Sequence, residues 1–136
     1  MVDRLTPERR SWLMSRVRSG NTTPEIRVRR TAHALGLRYR LHRADLPGTP
    51  DLIFPKYRVA LFVHGCFWHR HPGCLKSSVP KSREGYWLNK FAANVSRDVR
   101  VTSELEEMGW QVKAIWECET KNLEILRARV WKAVVG

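Results

Sequence analysis

Residues 64 to 74 read HGCFWHRHPGC, which places three histidines, two cysteines and two large aromatics in eleven positions. Thiolates and imidazoles are the donors that zinc prefers, histidine exchanges protons near neutral pH, and aromatic rings stack. Cys66, His71 and Cys74 have the spacing C-x4-H-x2-C, and a stiff Pro72-Gly73 turn lies between the last two. Cys118, the remaining cysteine, stands at the end of an expected strand that could run beside the one ending at Gly65. The four residues would close a Cys3His tetrahedron of the structural type, leaving no open position for catalysis on the zinc. Spacing alone leaves two alternatives open. His69, in a C-x2-H arrangement, could replace His71 as the ligand, and the plain reading is three free buried thiols with a surface histidine.

A second centre of chemistry is Asp51. It follows LPGTP and opens a short apolar segment, and a dozen residues later a second such segment delivers Val63, His64 and Gly65. An acid at the head of a hairpin with further ligands on its second strand is the arrangement of metal-dependent nucleases that carry PD...(D/E)-x-K. Pro50 and Asp51 supply the PD, but VHG stands where the second acid and the lysine would be.

Charge points the same way. Lys and Arg number 25 against 13 acidic residues, a formal net charge of +12 over 136 residues. Residues 1 to 43 alone hold eleven arginines and three acids, so a polyanion is the first partner to consider. The bland alternative is a solvated basic surface. No apolar run reaches the ~18 residues of a membrane span, and the start lacks the apolar stretch of a signal peptide. A cytoplasmic protein without membrane contact is expected, and the length fits one domain, residues 1–136.

The elements that must position these groups follow from periodicity and punctuation. Residues 6 to 18 form an expected polar, arginine-rich helix within a basic segment, 1–20, which the resemblance drawn below makes DNA-contacting. A better-marked helix starts at a Thr22 or Thr23 cap with Pro24 and Glu25 in its first turn and stops before Gly36. LRYRLH (37–42) alternates like a half-buried strand, and DLIF, PKYR and VALFVHG give a hairpin. A long helix from about Tyr86 to Met108 carries Leu88, Phe91, Val95, Val99, Thr102 and Leu105 on the stripe expected to face the core. Its opposite face would present Trp87, Lys90, Asn94 and Asp98. WQVKAIWEC is a further strand and NLEILRARVWKAVV a closing helix. Helices flanking a mixed sheet of short strands make an α/β sandwich.

Taken together, LPGTPDLIF, LFVHGCFWHRHPGC, YWLNKFAANVSRDVR and LEEMGWQVKAIWEC resemble the very-short-patch-repair (Vsr) mismatch endonucleases over roughly residues 10 to 120. The resemblance implies a restriction-endonuclease-like fold with one structural zinc and two catalytic magnesium ions. It implies a monomer that acts on double-stranded DNA containing a T·G mismatch left by deamination of 5-methylcytosine. The nick falls 5′ to the thymine, and accessory mismatch-repair proteins are further expected partners.

Position by position, the resemblance makes Asp51 the magnesium-binding carboxylate and His69 the activator of the attacking water. The main-chain carbonyl of Val63 would complete the magnesium site, at a place where the family pattern has threonine. Glu25, His64 and Asp98 match an outer set that holds a second magnesium through water. Cys66, His71, Cys74 and Cys118 match the zinc ligands, with one residue more between His71 and Cys74 than the pattern has. Phe67, Trp68 and Trp87 resemble an aromatic wedge that enters beside the mismatch, and Met14 an apolar probe from the other side. Lys90 and Asn94 would face DNA next to Trp87. Two rival functions stay in view: a nuclease of this fold with different sequence or mismatch specificity, and a non-catalytic, zinc-stapled DNA-binding module.

Overall fold

A computed structural model of the chain describes residues 22–67, 69–74 and 81–136. The expected N-terminal helix, with Met14, and the ring of Trp68 lie outside the described residues.

Helix α1 (Thr23–Ala34) begins where Thr22 accepts a hydrogen bond from the Glu25 amide, with Pro24 in the first turn. It ends at Gly36, whose φ of +78° closes the C-terminal turn, and the Leu37 amide bonds back to the Ala32 carbonyl. That turn drives Leu37 into the core, so the expected strand over 37–42 shrinks to β1 (Arg40–Leu41). His42 then leaves the extended region altogether, at φ +46°.

Strands β2 (Leu52–Phe54) and β3 (Val59–His64) pair antiparallel, and β3 runs parallel to β4 (Gln111–Trp116) in the order β1-β2-β3-β4. The sheet is therefore mixed, as the sequence leads one to expect. Alternation along the strands divides two packing layers. Leu52, Phe54, Val59, Leu61 and Ile115 join Val28 and Ala32 of α1 with Leu126 and Val130 of α3 (Leu123–Val134). On the other face Ile53 and Ala60 meet Trp110 and Leu105 of α2 (Glu84–Glu107), with Phe62 and Val101 at the margin. Each fully buried Leu, Ile or Phe in these layers contributes roughly 1.5–3 kcal/mol relative to exposure.

Helix α2 corrects the expected stripe. Leu88, Val95 and Val99 are exposed, Val99 by 66 %, whereas Trp87, Phe91 and Leu105 are buried and Asn94 and Asp98 half-buried. The helix is rotated so that its polar residues at 94 and 98 also face inward, toward the end of β3. Residue counting could not anticipate this, because a polar position that turns inward leaves no mark in the apolar periodicity. A 3-10 turn, Glu117–Thr120, replaces the last residues of the strand expected over 110–118 and carries Cys118. Among the described residues, no helix is long and apolar enough to cross a membrane.

Candidate active site

Among the described residues, three clusters of titratable side chains gather around β3 and its neighbours. The first joins α1, β1 and the head of β2. Glu25 sits in the first turn of α1 with 1 % of its surface exposed, one turn before Arg29, whose guanidinium lies 3.2 Å from its Oε2. His42 Nε2 meets the other carboxylate oxygen in a short contact. Asp51, at the end of the LPGTP loop, accepts a 2.7 Å hydrogen bond from the Val63 amide. Glu25, His42 and Asp51 each offer one ligand atom, all within 4.8 Å of one another. Burial pushes the Asp51 carboxyl up to about 7; the Val63 N–H opposes this and the Glu25 charge adds to it. Two carboxylates held this close in a poorly solvated corner are the donor set a hard divalent cation requires.

The second cluster lies at the C-terminal end of β3. His64 and His69 stack with ring centroids 4.0 Å apart and planes within 4°. His69 Nδ1 lies 2.5 Å from an Asp98 oxygen across on α2, and the three residues offer ligand atoms within 4.8 Å of one another. Burial first, and the His69 charge second, pull the His64 pKa down to about 4, so its ring is neutral at physiological pH. Its Nδ1 is buried without a hydrogen-bond partner among the described residues. An orphaned buried nitrogen beside a carboxylate is a place a hydrated cation would satisfy.

The third cluster is Cys66, His71, Cys74 and Cys118, again within 4.8 Å of one another. His71 Nδ1 is 3.4 Å from Cys118 Sγ and 3.7 Å from Cys66 Sγ. Bonds of about 2.3 Å to sulfur and 2.05 Å to nitrogen, set at the tetrahedral angle, give a separation of about 3.6 Å. The cage thus fits zinc in size, and its donors fit in chemistry. Burial pushes the Cys66 thiol up to about 12, which reverses when a cation takes the sulfur. His71 stacks on Trp116 at 4.3 Å, which fixes the imidazole plane. Of the two histidines that spacing could not rank, His71 joins the sulfurs and His69 joins Asp98.

The aromatic residues are divided differently from the expectation. Phe67 is half-buried and meets Trp87 and Phe91 edge-on, at 5.8 and 5.0 Å. Trp87 is 2 % exposed, so it is not a ring displayed on an outer helix face; it forms the floor beneath Phe67. Arg70 lies over the Phe91 ring at 4.0 Å and donates to the Phe67 carbonyl at 3.2 Å, bracing the loop from the other side. Lys90 is half-buried with its ammonium 5.9 Å from the Tyr86 ring, and Asn94 accepts a 3.4 Å hydrogen bond from Arg97. Both lie on the same side of α2 as Asp98.

His42 escaped the sequence reading. A signal did exist: the register Arg40↔Ile53 and Leu41↔Leu52 continues to His42 opposite Asp51, and the His42 amide does bond the Asp51 carbonyl at 3.3 Å. Pairing the LRYRLH segment with DLIF would have found it.

The sequence profile described as DNA mismatch endonuclease Vsr matches residues 2–75. The type II nicking enzyme V.XorIIP of Xanthomonas oryzae pv. oryzae is 55 % identical over 130 residues, covering 96 % of this chain and 95 % of that protein. The DNA mismatch endonuclease Vsr of Escherichia coli is 41 % identical over 117 residues, 86 % of this chain and 74 % of its own. The type II nicking enzyme V.NmeAIP of Neisseria meningitidis is 40 % identical over 134 residues, 98 % of this chain and 95 % of its own.

Proposed function

The chain belongs to the Vsr family of DNA mismatch endonucleases, and from that premise we propose that it nicks one strand of a T·G-mismatched duplex, 5′ to the thymine, in a magnesium-dependent reaction. The observation that carries the reading is that Asp51 is tied to the Val63 amide, one residue before His64, whose ring stacks on the His69 that Asp98 holds. The mixed sheet with helices on both faces agrees with a restriction-endonuclease-like architecture.

Asp51 and the Val63 carbonyl would hold Mg2+ with Glu25 beside Asp51, and His64 and Asp98, which the fold gathers in the neighbouring cluster apart from Glu25, would reach a second ion through water. Bound there, Mg2+ supplies charge neutralisation at the scissile phosphate and the leaving oxygen. The protein's own groups do the rest. Asp98 holds His69 by Nδ1, which leaves Nε2 as the face that accepts a proton from water. The neutral His64 ring, stacked flat on His69, limits the rotation of that imidazole without adding a competing positive charge. The Cys66–His71–Cys74–Cys118 cage, with Zn2+ in it, ties the 66–74 loop to the turn after β4, so that Phe67 and His69 keep a fixed relation to Asp51. Phe67, raised on the Trp87–Phe91 floor, acts as the wedge, a role the family resemblance extends to Trp68, the next residue in sequence. Unstacking is cheapest where pairing is already poor, which favours a mismatch over a matched step. Met14 and the arginines of the N-terminal segment would grip the opposite side of the duplex.

The reading is tested by nicking assays on T·G and matched duplexes with flanking pairs varied, in Mg2+ and in chelator. Strand-specific cleavage of the T·G duplex alone is expected. Equal cleavage of matched DNA would replace it with a nuclease of other specificity, and binding without cleavage would replace it with a DNA-binding module.

A further inference from the structure

We propose that His42 is a positioning residue for the cation-binding carboxylates, clamping Glu25 against Asp51; this rests on the assignment of a divalent cation to Asp51. Three observations meet at this residue. Its ring Nε2 contacts Glu25 Oε1 while Arg29 holds Oε2, so the buried carboxylate is gripped by a donor on each oxygen. Its amide donates to the Asp51 carbonyl, so the same residue touches both acids of the cluster, one through its side chain and one through its backbone. It does so from the left-handed region, φ +46°, which residues with a Cβ rarely adopt and which marks a conformation imposed by its surroundings.

Packing does not account for the residue. The His42 side chain keeps 32 % of its surface exposed, whereas Glu25, which it touches, is 1 % exposed. The ring forms a lid over the carboxylate instead of filling the core. Glu25 rides on α1 and Asp51 stands just before β2, two elements that approach one another from separate parts of the sequence. His42, at the end of β1, bridges them. A cation between the two acids is held in a geometry only as well defined as the Glu25 rotamer, and the imidazole helps to set that rotamer from the side opposite Arg29. Histidine is short and planar, and its Nε2 reaches the oxygen from a backbone already bonded to Asp51.

The test uses the zinc-loaded full chain and Mn2+ as the probe, read by the loss of the free-ion electron paramagnetic resonance signal. Wild type is expected to bind Mn2+ and Asp51→Asn to lose the ion held at Glu25 and Asp51. His42→Asn suits the left-handed backbone but is too short to reach Glu25, and should weaken Mn2+ binding roughly 10- to 100-fold. His42→Gln, whose longer side chain carries an N–H to the same oxygen, should restore most of it. Circular dichroism checks folding, with His42→Gly as the replacement should the Asn variant not fold. Wild-type Mn2+ affinity in the Asn or Gly variant, or an equal loss in the Gln variant, overturns the clamp. Mn2+ affinity and stoichiometry that stay at the wild-type values in Asp51→Asn would instead overturn the cation assignment on which it rests.

Discussion

His69 and Asp98 meet with Nδ1 and Oδ2 2.5 Å apart across 29 positions of sequence, one on the loop after β3 and the other on α2. The carboxylate accepts from Nδ1, so the opposite nitrogen is the one left to take a proton, and the loop cannot turn the ring without breaking a charge-assisted hydrogen bond.

Removing the imidazole should therefore cost more than removing its holder. His69→Ala is expected to slow single-turnover nicking roughly 10²- to 10⁴-fold, the usual worth of general-base help. Asp98→Asn, which can present its N–H₂ to Nδ1 and favour the wrong tautomer, should also slow nicking and shift its pH profile. Rates over a pH series for both variants check this; an Asp98→Asn profile superimposable on wild type would count against the pairing.

The cation site should titrate with Asp51. Its carboxyl ordinarily releases its proton at 3.8 and in the folded protein only at about 7. The folded state thus binds more protons between these values, so this group's stabilising contribution is full below 3.8 and is lost as pH rises through 7. Mg2+ competes for the deprotonated form. The rise in melting temperature that Mg2+ produces should grow from about pH 6 to about pH 8, and Asp51→Asn should flatten that growth. Calorimetry with and without Mg2+ measures both.

The sulfur cage should hold one zinc that survives dialysis and leaves on unfolding with chelator. Cys74→Ser or Cys118→Ser removes one of four ligands; a loss of about 2–3 kcal/mol would lower the melting temperature by roughly 10 °C in a chain of this size. Elemental analysis and thermal melts of the variants report the two effects separately.

Phe67 and Trp87 should part company under mutation. Trp87 is buried, so Trp87→Ala should cost about 3–5 kcal/mol of stability. Phe67 is half-buried above it, and Phe67→Ala should cost less stability while weakening binding to a T·G duplex more than to a matched one. Urea melts and duplex binding on both variants decide; selective loss of mismatch binding in neither would remove the wedge.

Gly48 governs the approach to Asp51. It adopts φ +71°, and a Cβ there would stand 2.5 Å from Val101 Cγ1 of α2. Gly48→Ala is expected to displace the LPGTP loop, lowering both stability and nicking, while Gly73→Ala, with φ +74° but open space around it, should show only the backbone strain. Melting temperatures and nicking rates of the two variants give the comparison.

The chain's types and spacings determined much of this by themselves. Cys66 and Cys74 closing a short loop rich in histidine, the Thr22 cap and Pro24, and the hairpin leading from Asp51 to Val63 are local patterns, and local sterics and ligand preference act within a few residues of each other. Tertiary structure decided the rest. Which histidine joins the sulfurs, which side of α2 faces in, and that Trp87 lies under Phe67 all depend on how a helix is rotated against a sheet, and a periodic pattern leaves that rotation open when polar residues such as Asn94 and Asp98 point inward. The place of His42 depended on strand register, a long-range pairing that no short window contains. Proximity between residues distant in sequence is a property of packing, and it is packing that brings Glu25, His42 and Asp51 into one corner.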